Sequence, residues 1–207
     1  MSHWGARCLA VLMACAVSGC ATPSGQPVER IAEPDIAAAY IPLFKSANLG
    51  LSKDAGAATV VWPGVAVTNA HNANLVDPRQ VIGQVSDYDL LYFRTPRSAA
   101  PATAEPVIGS NVTAYGADTR GRLRLAHGVV RAITACAGCT QAAYFTFAGD
   151  AGPGFSGGPV VDALGRLVGI TFGYKDQGHE RLIYAYDMAR VRAEFSALPG
   201  ARASRVN

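Results

Sequence analysis

The chain has 207 residues, of which half are hydrophobic and 16% are charged, with a formal net charge of +3 at pH 7. This composition excludes an intrinsically disordered chain, because enough apolar side chains are present to bury a sizeable core. The charge is too small to indicate a nucleic-acid-binding protein, and no basic cluster interleaved with aromatic residues occurs. The length suits one domain or one compact two-lobed unit.

The N-terminus has the composition of an export signal. Arg7 precedes an apolar run over residues 8–17, which is too short to span a bilayer, and small residues then lead to Cys20. Residues 17–20 (VSGC) resemble the signal box of bacterial lipoproteins, in which the cysteine is lipidated and becomes the first mature residue. In such lipoproteins, Ala rather than Asp after the cysteine usually implies the outer membrane, facing the periplasm. An ordinary secretory signal, giving a secreted or periplasmic protein, is the alternative.

These features divide the chain into four parts. Residues 1–19 are predicted to be a lipoprotein signal peptide, and residues 20–33 the lipidated cysteine with a tether of turn-like composition. Residues 34–200 are predicted to form the folded domain, and residues 201–207 a tail.

Two of the five cysteines, Cys136 and Cys139, lie in the predicted domain. Because an exported chain meets an oxidising compartment, a small disulfide loop between them is expected. A redox motif is disfavoured, since strand-like segments flank the pair and no helix start does. A zinc site would need two more ligands, and no histidine or cysteine lies close by in sequence. We therefore expect no metal, and no organic cofactor is implied.

The predicted domain contains many short strands and one terminal helix, which favours an all-β barrel or sandwich. A short helix is predicted at residues 35–39, and three prolines in residues 95–106 predict a connector between two lobes. Asp187 is expected to cap a C-terminal helix that reaches Leu198. The predicted strands cover residues 57–62, 65–68, 80–85, 90–94, 107–115, 123–126, 128–134, 144–147, 159–162, 167–172 and 182–186.

Residues 152–159 (GPGFSGGP) have the most demanding composition in the chain. Four glycines and two prolines surround Ser156, which excludes a helix or a central strand. Glycines let backbone N–H groups approach a ligand closely, so an exposed serine in this setting is typical of an activated nucleophile beside an oxyanion hole. The alternative is a hairpin turn rich in Gly and Pro with an incidental serine.

A nucleophilic serine needs a base and a residue that orients the base. His71 directly follows a hydrophobic strand, which is a rigid position, whereas His127 lies inside a strand-like run and His179 in a polar loop. Asp89 directly precedes an apolar strand, where a carboxylate can fix the tautomer of an imidazole and stabilise its protonated form. Asp87 is the alternative partner for the histidine. The non-catalytic explanation is that these acids simply form a turn before the strand.

The order His71, Asp89, Ser156 distinguishes among unrelated serine hydrolases. Subtilisin-type proteins have the order Asp, His, Ser, and α/β-hydrolases the order Ser, Asp, His. Residues 154–158 (GFSGG) match the G-x-S-x-G pattern of α/β-hydrolases, but Pro159 and the β-branched residues after it do not begin a helix. An α/β-hydrolase esterase is therefore disfavoured.

Four motifs resemble those of trypsin-like (chymotrypsin-fold) serine peptidases, on the bacterial side of that family. Residues 68–71 (TNAH) resemble its T-A-A-H motif, and residues 89–91 (DLL) resemble D-I-A-L-L. Residues 154–159 (GFSGGP) resemble G-D/N-S-G-G-P, and residues 165–173 (GRLVGITFG) resemble the G-x-(L/V)-x-G-I segment that follows the nucleophile. The resemblance covers about residues 50–198.

The resemblance implies two packed six-stranded β-barrels with a catalytic cleft between them, and a serine endopeptidase that hydrolyses peptides or proteins through an acyl-enzyme. Ser156 would be the nucleophile, His71 the general base and then the general acid, and Asp89 the residue that orients His71. The backbone N–H groups of Gly154 and Ser156 would form the oxyanion hole. The segment that pairs with the substrate backbone would consist of Thr171, Phe172 and Gly173.

Three features of the chain depart from the family pattern. Asp150 precedes Ser156 by six residues, the spacing of the acid that selects Arg or Lys in trypsins, but Gly and Pro at 152 and 153 replace a cysteine in that loop. Phe155 replaces the aspartate that pairs with a new N-terminus in zymogen-activated trypsins, so that activation switch is not expected. His71 and Asp89 are only 18 residues apart (89 − 71), which predicts a trimmed first barrel.

A catalytically silent, protease-like lipoprotein that binds a peptide or a partner protein is the alternative function. The shortened first barrel favours it. Retention of all three candidate residues argues against it, because a silent relative has no need to keep them.

Overall fold

The computed structural model describes residues 24–47, 52–99, 101–118, 120–135 and 142–199. Within these ranges the chain forms two antiparallel sheets and two α-helices. The predicted lipidation site at Cys20 and the predicted disulfide between Cys136 and Cys139 lie outside the described residues.

The first sheet comes from the N-terminal half of the domain. Helix α1 (Pro34–Ala39) leads into it, and in the described residues its five strands have the spatial order β2-β3-β4-β6-β5. Short 3-10 helices at Ala70–Leu75, Pro78–Gln80 and Ser86–Tyr88 join the later strands. The strands are β2 (Tyr40–Ala47), β3 (Ser52–Trp62), β4 (Val65–Asn69), β5 (Val81–Val85) and β6 (Leu90–Arg94).

The second sheet closes into a six-stranded barrel. Its order is β8-β7-β10-β11-β12-β9, and β9 pairs back with β8, while the two-residue β1 adds to β8. Helix α2 (Met188–Ala197) follows the last strand. The strands are β1 (Gln26–Pro27), β7 (Asn111–Ala117), β8 (Leu123–Ala135), β9 (Ala142–Gly149), β10 (Pro159–Asp162), β11 (Leu167–Gln177) and β12 (Glu180–Asp187).

The predicted all-β, trypsin-like class with a C-terminal helix is confirmed. The second half has the expected six-stranded barrel, and the first half has five strands in the described residues. This smaller first half fits the trimming predicted from the short interval between the candidate histidine and aspartate. Strand β1 lies within the stretch predicted to be a tether.

Two local predictions were wrong, and one strand was not predicted. The predicted strand at residues 107–115 begins only at Asn111, because Val107 accepts from the Ser110 N–H (3.0 Å) in a turn whose Gly109 has φ +84°. The two strands predicted around His127 are one continuous strand, β8, from which the His127 side chain points to solvent. Strand β2 was not predicted, since its Pro42 disfavours a central strand, and β2 is in fact an edge strand.

Helix α2 joins the two halves, although it follows the second barrel in sequence. Phe195 packs its ring 4.7 Å from that of Trp62 and 5.1 Å from that of Tyr92, both on the first sheet. The Tyr92 hydroxyl also donates to the Val191 carbonyl (2.7 Å). The largest buried cluster therefore draws side chains from both sheets and from α2.

Within the described parts of the chain, no helix is both long and apolar enough to cross a membrane.

The loop at residues 152–158 is bound directly to the first sheet. The carbonyl of Ser156 accepts from the Ala57 N–H (2.8 Å) and from Asn72 Nδ2 (3.0 Å). The carbonyl of Gly157 accepts from Thr59 Oγ1 (3.0 Å), and both Ala57 and Thr59 belong to β3. The serine loop of the second barrel thus has a fixed position relative to the first sheet.

A Gly157→Ala substitution should prevent stable folding. A methyl group on Gly157 would lie 2.0 Å from the Ala57 carbonyl oxygen and 2.3 Å from Thr68 Oγ1, so the two halves would have to separate. Gly109→Ala is the matched control, because Gly109 has the same φ of +84° but no atom within 4 Å of the added methyl group. We expect Gly109→Ala to cost about 1–2 kcal/mol and Gly157→Ala more than about 4 kcal/mol in urea unfolding. Equal losses would show that the packing at Gly157 is not as tight as described.

Asp187 gives the stability of the domain a pH dependence. The carboxyl is buried, with 5% of the residue exposed, and caps α2 by accepting from the Arg190 N–H (2.6 Å). Burial raises the pKa of Asp187 above its usual value, despite the opposing hydrogen bond and positive charge of Arg190. The stability contributed by this group is therefore complete below the ordinary aspartate pKa, and it is lost as the pH rises through the folded-state pKa.

An Asp187→Asn variant should gain stability relative to the parent as the pH rises from about 4 to 7, because Asn keeps the cap and has no charge to bury. Urea unfolding of both proteins across this range measures the difference. A constant difference, or one that shrinks with pH, would contradict the raised pKa.

Candidate active site

The candidate histidine and aspartate meet where two neighbouring inner strands of the first sheet, β4 and β6, end and begin. Strand β4 ends at Asn69, which pairs with Leu90 at the start of β6. His71 follows β4 and Asp89 precedes β6, so the antiparallel pairing makes them neighbours. Asp89 Oδ2 lies 2.7 Å from His71 Nδ1, and Asp89 Oδ1 accepts from the His71 backbone N–H (3.0 Å). Each carboxylate oxygen thus holds a different part of His71.

Asp89 is itself held by its backbone. Its φ of +46° is unusual for a residue with a side chain, although aspartate tolerates this region better than most. Its carbonyl accepts from the Ala70 N–H (2.9 Å) and from Asn69 Nδ2 (3.2 Å). Asp87, the alternative partner, is exposed, and among the described residues no hydrogen bond or ion pair joins it to His71.

The His71–Asp89 contact defines what the imidazole can do. A carboxylate at Nδ1 favours the tautomer that carries its proton on Nδ1, which leaves Nε2 as a proton acceptor. The side chain of His71 is 49% exposed and that of Asp89 is 34% exposed, so Nε2 can reach a substrate. The pair therefore has the arrangement that general-base catalysis requires.

The serine loop begins with a β-turn that has Pro153 and Gly154 at its centre. The Gly152 carbonyl accepts from the Phe155 N–H (3.1 Å), and Gly154 has φ +91°. Positive φ at the third residue is the mark of a type II turn, for which Pro at the second position and Gly at the third are preferred. The sequence therefore explains this turn fully.

A second turn of the same kind presents the candidate nucleophile. The Phe155 carbonyl accepts from the Gly158 N–H (2.9 Å), Gly157 has φ +84°, and Ser156 occupies the second position. In the described residues, neither the Gly154 nor the Ser156 N–H has a protein acceptor. The N–H groups of Gly154 and Ser156 flank the Phe155 N–H, which is already bonded to Gly152. Two such unpaired donors are what an oxyanion hole needs.

Phe155 orients the loop. Its side chain is fully buried and lies against Gly116, where an added methyl group would come within 2.6 Å of the ring. The Gly154 carbonyl accepts from the Ala117 N–H (2.9 Å) on the same strand, β7. A buried apolar residue thus occupies the position of the family's activation aspartate, and it anchors the loop into the barrel core.

An open cavity of about 390 Å³ joins the histidine to the serine loop. The structure records no hydrogen bond between the side chains of His71 and Ser156, although both belong to the described residues. Hydrogen bonds of catalytic groups are often long in unliganded proteins and tighten in the substrate complex. The cavity is lined by Asp54, Ala55, His71, Asn72, Asn74, Leu75, Pro153 and Gly154.

Asn72 is a site residue that the sequence reasoning missed. It is 4% exposed, and its Nδ2 donates both to the Ser156 carbonyl (3.0 Å) and to Thr68 Oγ1 (3.0 Å). It therefore links the segment that carries His71 to the segment that carries the serine. The only signal in the sequence is its position directly after the histidine.

The predicted substrate-pairing segment lies on β11, next to the serine loop. Thr171 exchanges two hydrogen bonds with the loop, from its N–H to the Gly158 carbonyl (3.0 Å) and from the Gly157 N–H to its carbonyl (2.8 Å). A bulge at Phe172 breaks the pairing with β12, and Gly173 has open space above it. Within the described residues, β10 pairs with β11 up to Ile170 and the serine loop pairs with Thr171, so this edge of β11 is open from Phe172 onward.

Asp150 is exposed at the base of the loop, and its carbonyl accepts from the Gly25 N–H (2.9 Å). Arg181 lies beside it, donates to the Ala151 carbonyl (3.3 Å) and forms an ion pair with Asp176 (2.6 Å). The hydrogen bond to Asp176 raises the pKa of Arg181, with a smaller contribution from the charge of Asp150. Asp150, the candidate for selecting basic substrate residues, therefore already has the positive charge of Arg181 close to it.

Among the residues that the structure describes, no three His, Cys, Asp or Glu side chains cluster closely enough to hold a metal ion.

Solved structures of several proteases match this chain. The active form of the Rv3671c protease from M. tuberculosis has a TM-score of 0.64 and 19% identity, with 86% of this chain and 90% of that chain covered. The HtrA-type protease AlgW with a tripeptide has a TM-score of 0.62 and 19% identity, over 80% of this chain and 62% of that chain. The MamO protease domain from Magnetospirillum magneticum has a TM-score of 0.57 and 17% identity, over 78% and 97%.

No curated protein matches the chain. The family model for the trypsin-like peptidase domain matches residues 51–170, which is more than half of the chain and includes His71, Asp89 and Ser156. The sequence and the fold of this chain therefore indicate the same family, and the chain belongs to the trypsin-like peptidase family.

Proposed function

We propose that the protein is an exported serine endopeptidase in which His71, Asp89 and Ser156 form the catalytic triad. The observation that carries the proposal is the two-point contact of Asp89 with His71, on the cavity that the serine loop also lines. This contact leaves Nε2 of the imidazole free to accept the proton of the serine hydroxyl.

In the proposed reaction, Ser156 Oγ attacks the carbonyl carbon of the substrate while His71 Nε2 takes the hydroxyl proton. The N–H groups of Gly154 and Ser156 bind the resulting oxyanion. His71 then gives its proton to the leaving amine, and the peptide bond breaks to leave an acyl-enzyme. Water, activated by the same imidazole, releases the second product. Asp89 keeps its negative charge throughout and stabilises the imidazolium.

The substrate would bind as an additional strand on the open edge of β11. Phe172 and Gly173 lie on this edge, beside the serine loop that Thr171 holds. The ring of Phe172 stacks on that of Tyr186 at 4.1 Å and meets the edge of Tyr144 at 6.0 Å. Main-chain hydrogen bonds would supply affinity in this mode, and side-chain contacts specificity.

The predicted lipid at Cys20 would place the enzyme on a membrane, most simply the outer membrane on its periplasmic side. The predicted disulfide between Cys136 and Cys139 is consistent with an oxidising compartment.

A protein that binds peptides without cleaving them is the second candidate. The observation in its favour is that the structure has no hydrogen bond between Ser156 Oγ and His71. The same β11 edge would then capture a peptide, and no covalent adduct would form on the serine.

Labelling with a fluorescent fluorophosphonate separates the two candidates. We expect the parent protein to be labelled, Ser156→Ala to give no labelling, and His71→Ala or Asp89→Asn to slow labelling by about 1,000-fold or more. His127→Ala is the matched control and should be labelled at the parent rate, because His127 is exposed on β8 and its ring is hydrogen-bonded to Thr113 (3.1 Å). An unlabelled but folded parent would favour the binding protein, and labelling of Ser156→Ala would refute the triad.

A role of Asp150 in selecting basic substrate residues, which its spacing from Ser156 suggests and the altered loop disfavours, can be tested on peptide substrates. Asp150→Asn should lower cleavage after Arg relative to cleavage after Leu by roughly tenfold, since a lost ion pair of about 1.4 kcal/mol gives that ratio. Asp87→Asn, which removes an exposed acid elsewhere, should leave the ratio unchanged. An unchanged ratio in Asp150→Asn would show that the adjacent Arg181 already neutralises this carboxylate.

A further inference from the structure

The first described residues of the chain contact the serine loop. Gly25 donates its N–H to the Asp150 carbonyl (2.9 Å), and Ser24 Oγ donates to the Pro153 carbonyl (3.1 Å). Arg124 on β8 holds the same segment, because its guanidinium donates to the carbonyls of Ser24 (2.9 Å) and Gly25. A segment more than 120 residues away in sequence is therefore built into the loop that presents the nucleophile.

The fit of this segment is tight. Gly25 has φ +62°, and a methyl group there would lie 2.7 Å from the ring of Phe155 and 2.6 Å from the Leu125 carbonyl oxygen. Strand β1 continues the contact by pairing Gln26 with Leu125. Ser24 is thus held at its position by a strand pairing, by Arg124 and by the packing of Gly25.

The hydrogen bond from Ser24 Oγ is accepted by the carbonyl of one peptide unit, the one between Pro153 and Gly154. This peptide is trans, so its C=O and its N–H point in opposite directions. Because Ser24 holds the carbonyl on its own side, the Gly154 N–H points away from Ser24. That N–H is one of the two unpaired donors of the proposed oxyanion hole, and Gly154 also lines the cavity that contains His71.

The same peptide is the central one of the turn from Gly152 to Phe155, and its orientation is what distinguishes a type II turn from a type I turn. Gly154 has φ +91°, the type II value. Rotation of this peptide to the type I arrangement would keep the Phe155 N–H bond to Gly152, but it would turn the Pro153 carbonyl to where the Gly154 N–H now points. A hydrogen-bond acceptor would then replace a donor in the hole.

We propose that Ser24 is a positioning residue for catalysis, which holds the Pro153–Gly154 peptide in the orientation that keeps the oxyanion hole open. The inference rests on the proposed function. It makes a segment within the predicted tether, residues 20–33, a working part of the active site. In zymogen-activated trypsins, an aspartate at the position of Phe155 pairs with the new N-terminus. Here the N-terminal segment would instead order the serine loop through the hydrogen bond from Ser24 to the Pro153 carbonyl.

The test compares Ser24→Ala, Ser24→Thr and the parent as full chains purified in detergent. For hydrolysis of p-nitrophenyl acetate, we expect Ser24→Ala to lower kcat by about three- to tenfold with KM unchanged, since one neutral hydrogen bond biases the turn by that factor. The rate of fluorophosphonate labelling should fall by the same factor. Ser24→Thr keeps the hydroxyl and should restore both rates.

Ser110→Ala is the matched control, because Ser110 Oγ donates in the same way to the Val107 carbonyl (2.6 Å) at the opposite end of β7 from the loop. It should leave both rates at the parent value. Thermal unfolding of Ser24→Ala near the parent midpoint would show that the rate loss is local.

The outcomes separate the two proposals. A labelled parent with Ser24→Ala reacting at the parent rate would overturn the role of Ser24 and leave the triad intact. A loss in Ser24→Ala that Ser24→Thr does not restore would also overturn it. A folded parent that is not labelled would overturn the proposed function and this inference with it.

Discussion

The carbonyl of Ser156 fixes the serine loop of the second barrel to the first sheet. It accepts from the Ala57 N–H on the first sheet and from the side chain of Asn72, the residue after His71. Gly157 makes this approach possible, since any side chain there would meet the Ala57 carbonyl at 2.0 Å. The position of the candidate nucleophile, Ser156, relative to the candidate base, His71, therefore depends on hydrogen bonds between the serine loop and the first sheet.

Around this point, the candidate catalytic groups are held by local contacts from different parts of the chain. The pairing of β4 with β6 places Asp89 against His71, and two successive turns place Ser156 between two unpaired N–H groups. Phe155 anchors those turns in the barrel core, and Ser24 fixes one peptide of the first turn from outside. Preorganised donors of this kind cost nothing to reorganise during a reaction, which is why they are effective in catalysis.

The sequence predicted the features that depend on local chemistry. Gly and Pro in residues 152–159 required a loop, and Asp89, chosen because it directly precedes an apolar strand, does lie against His71. It did not predict Asn72 or Ser24, because their roles come from contacts across 84 and 129 positions of the chain. Strand β2 was missed because Pro42 disfavours a central strand, whereas β2 lies at the edge of its sheet. The turn at Val107 was missed because Gly109, with its positive φ, overrides the local apolar pattern.

The most direct test of this account is a crystal structure of the full chain after reaction with a fluorophosphonate. The account predicts phosphorus bonded to Ser156 Oγ, its oxygen accepting from the N–H groups of Gly154 and Ser156, and His71 still bound to Asp89. The Pro153 carbonyl should point towards Ser24. Phosphorus on another residue, or the Pro153 carbonyl turned into the site of the phosphoryl oxygen, would contradict it.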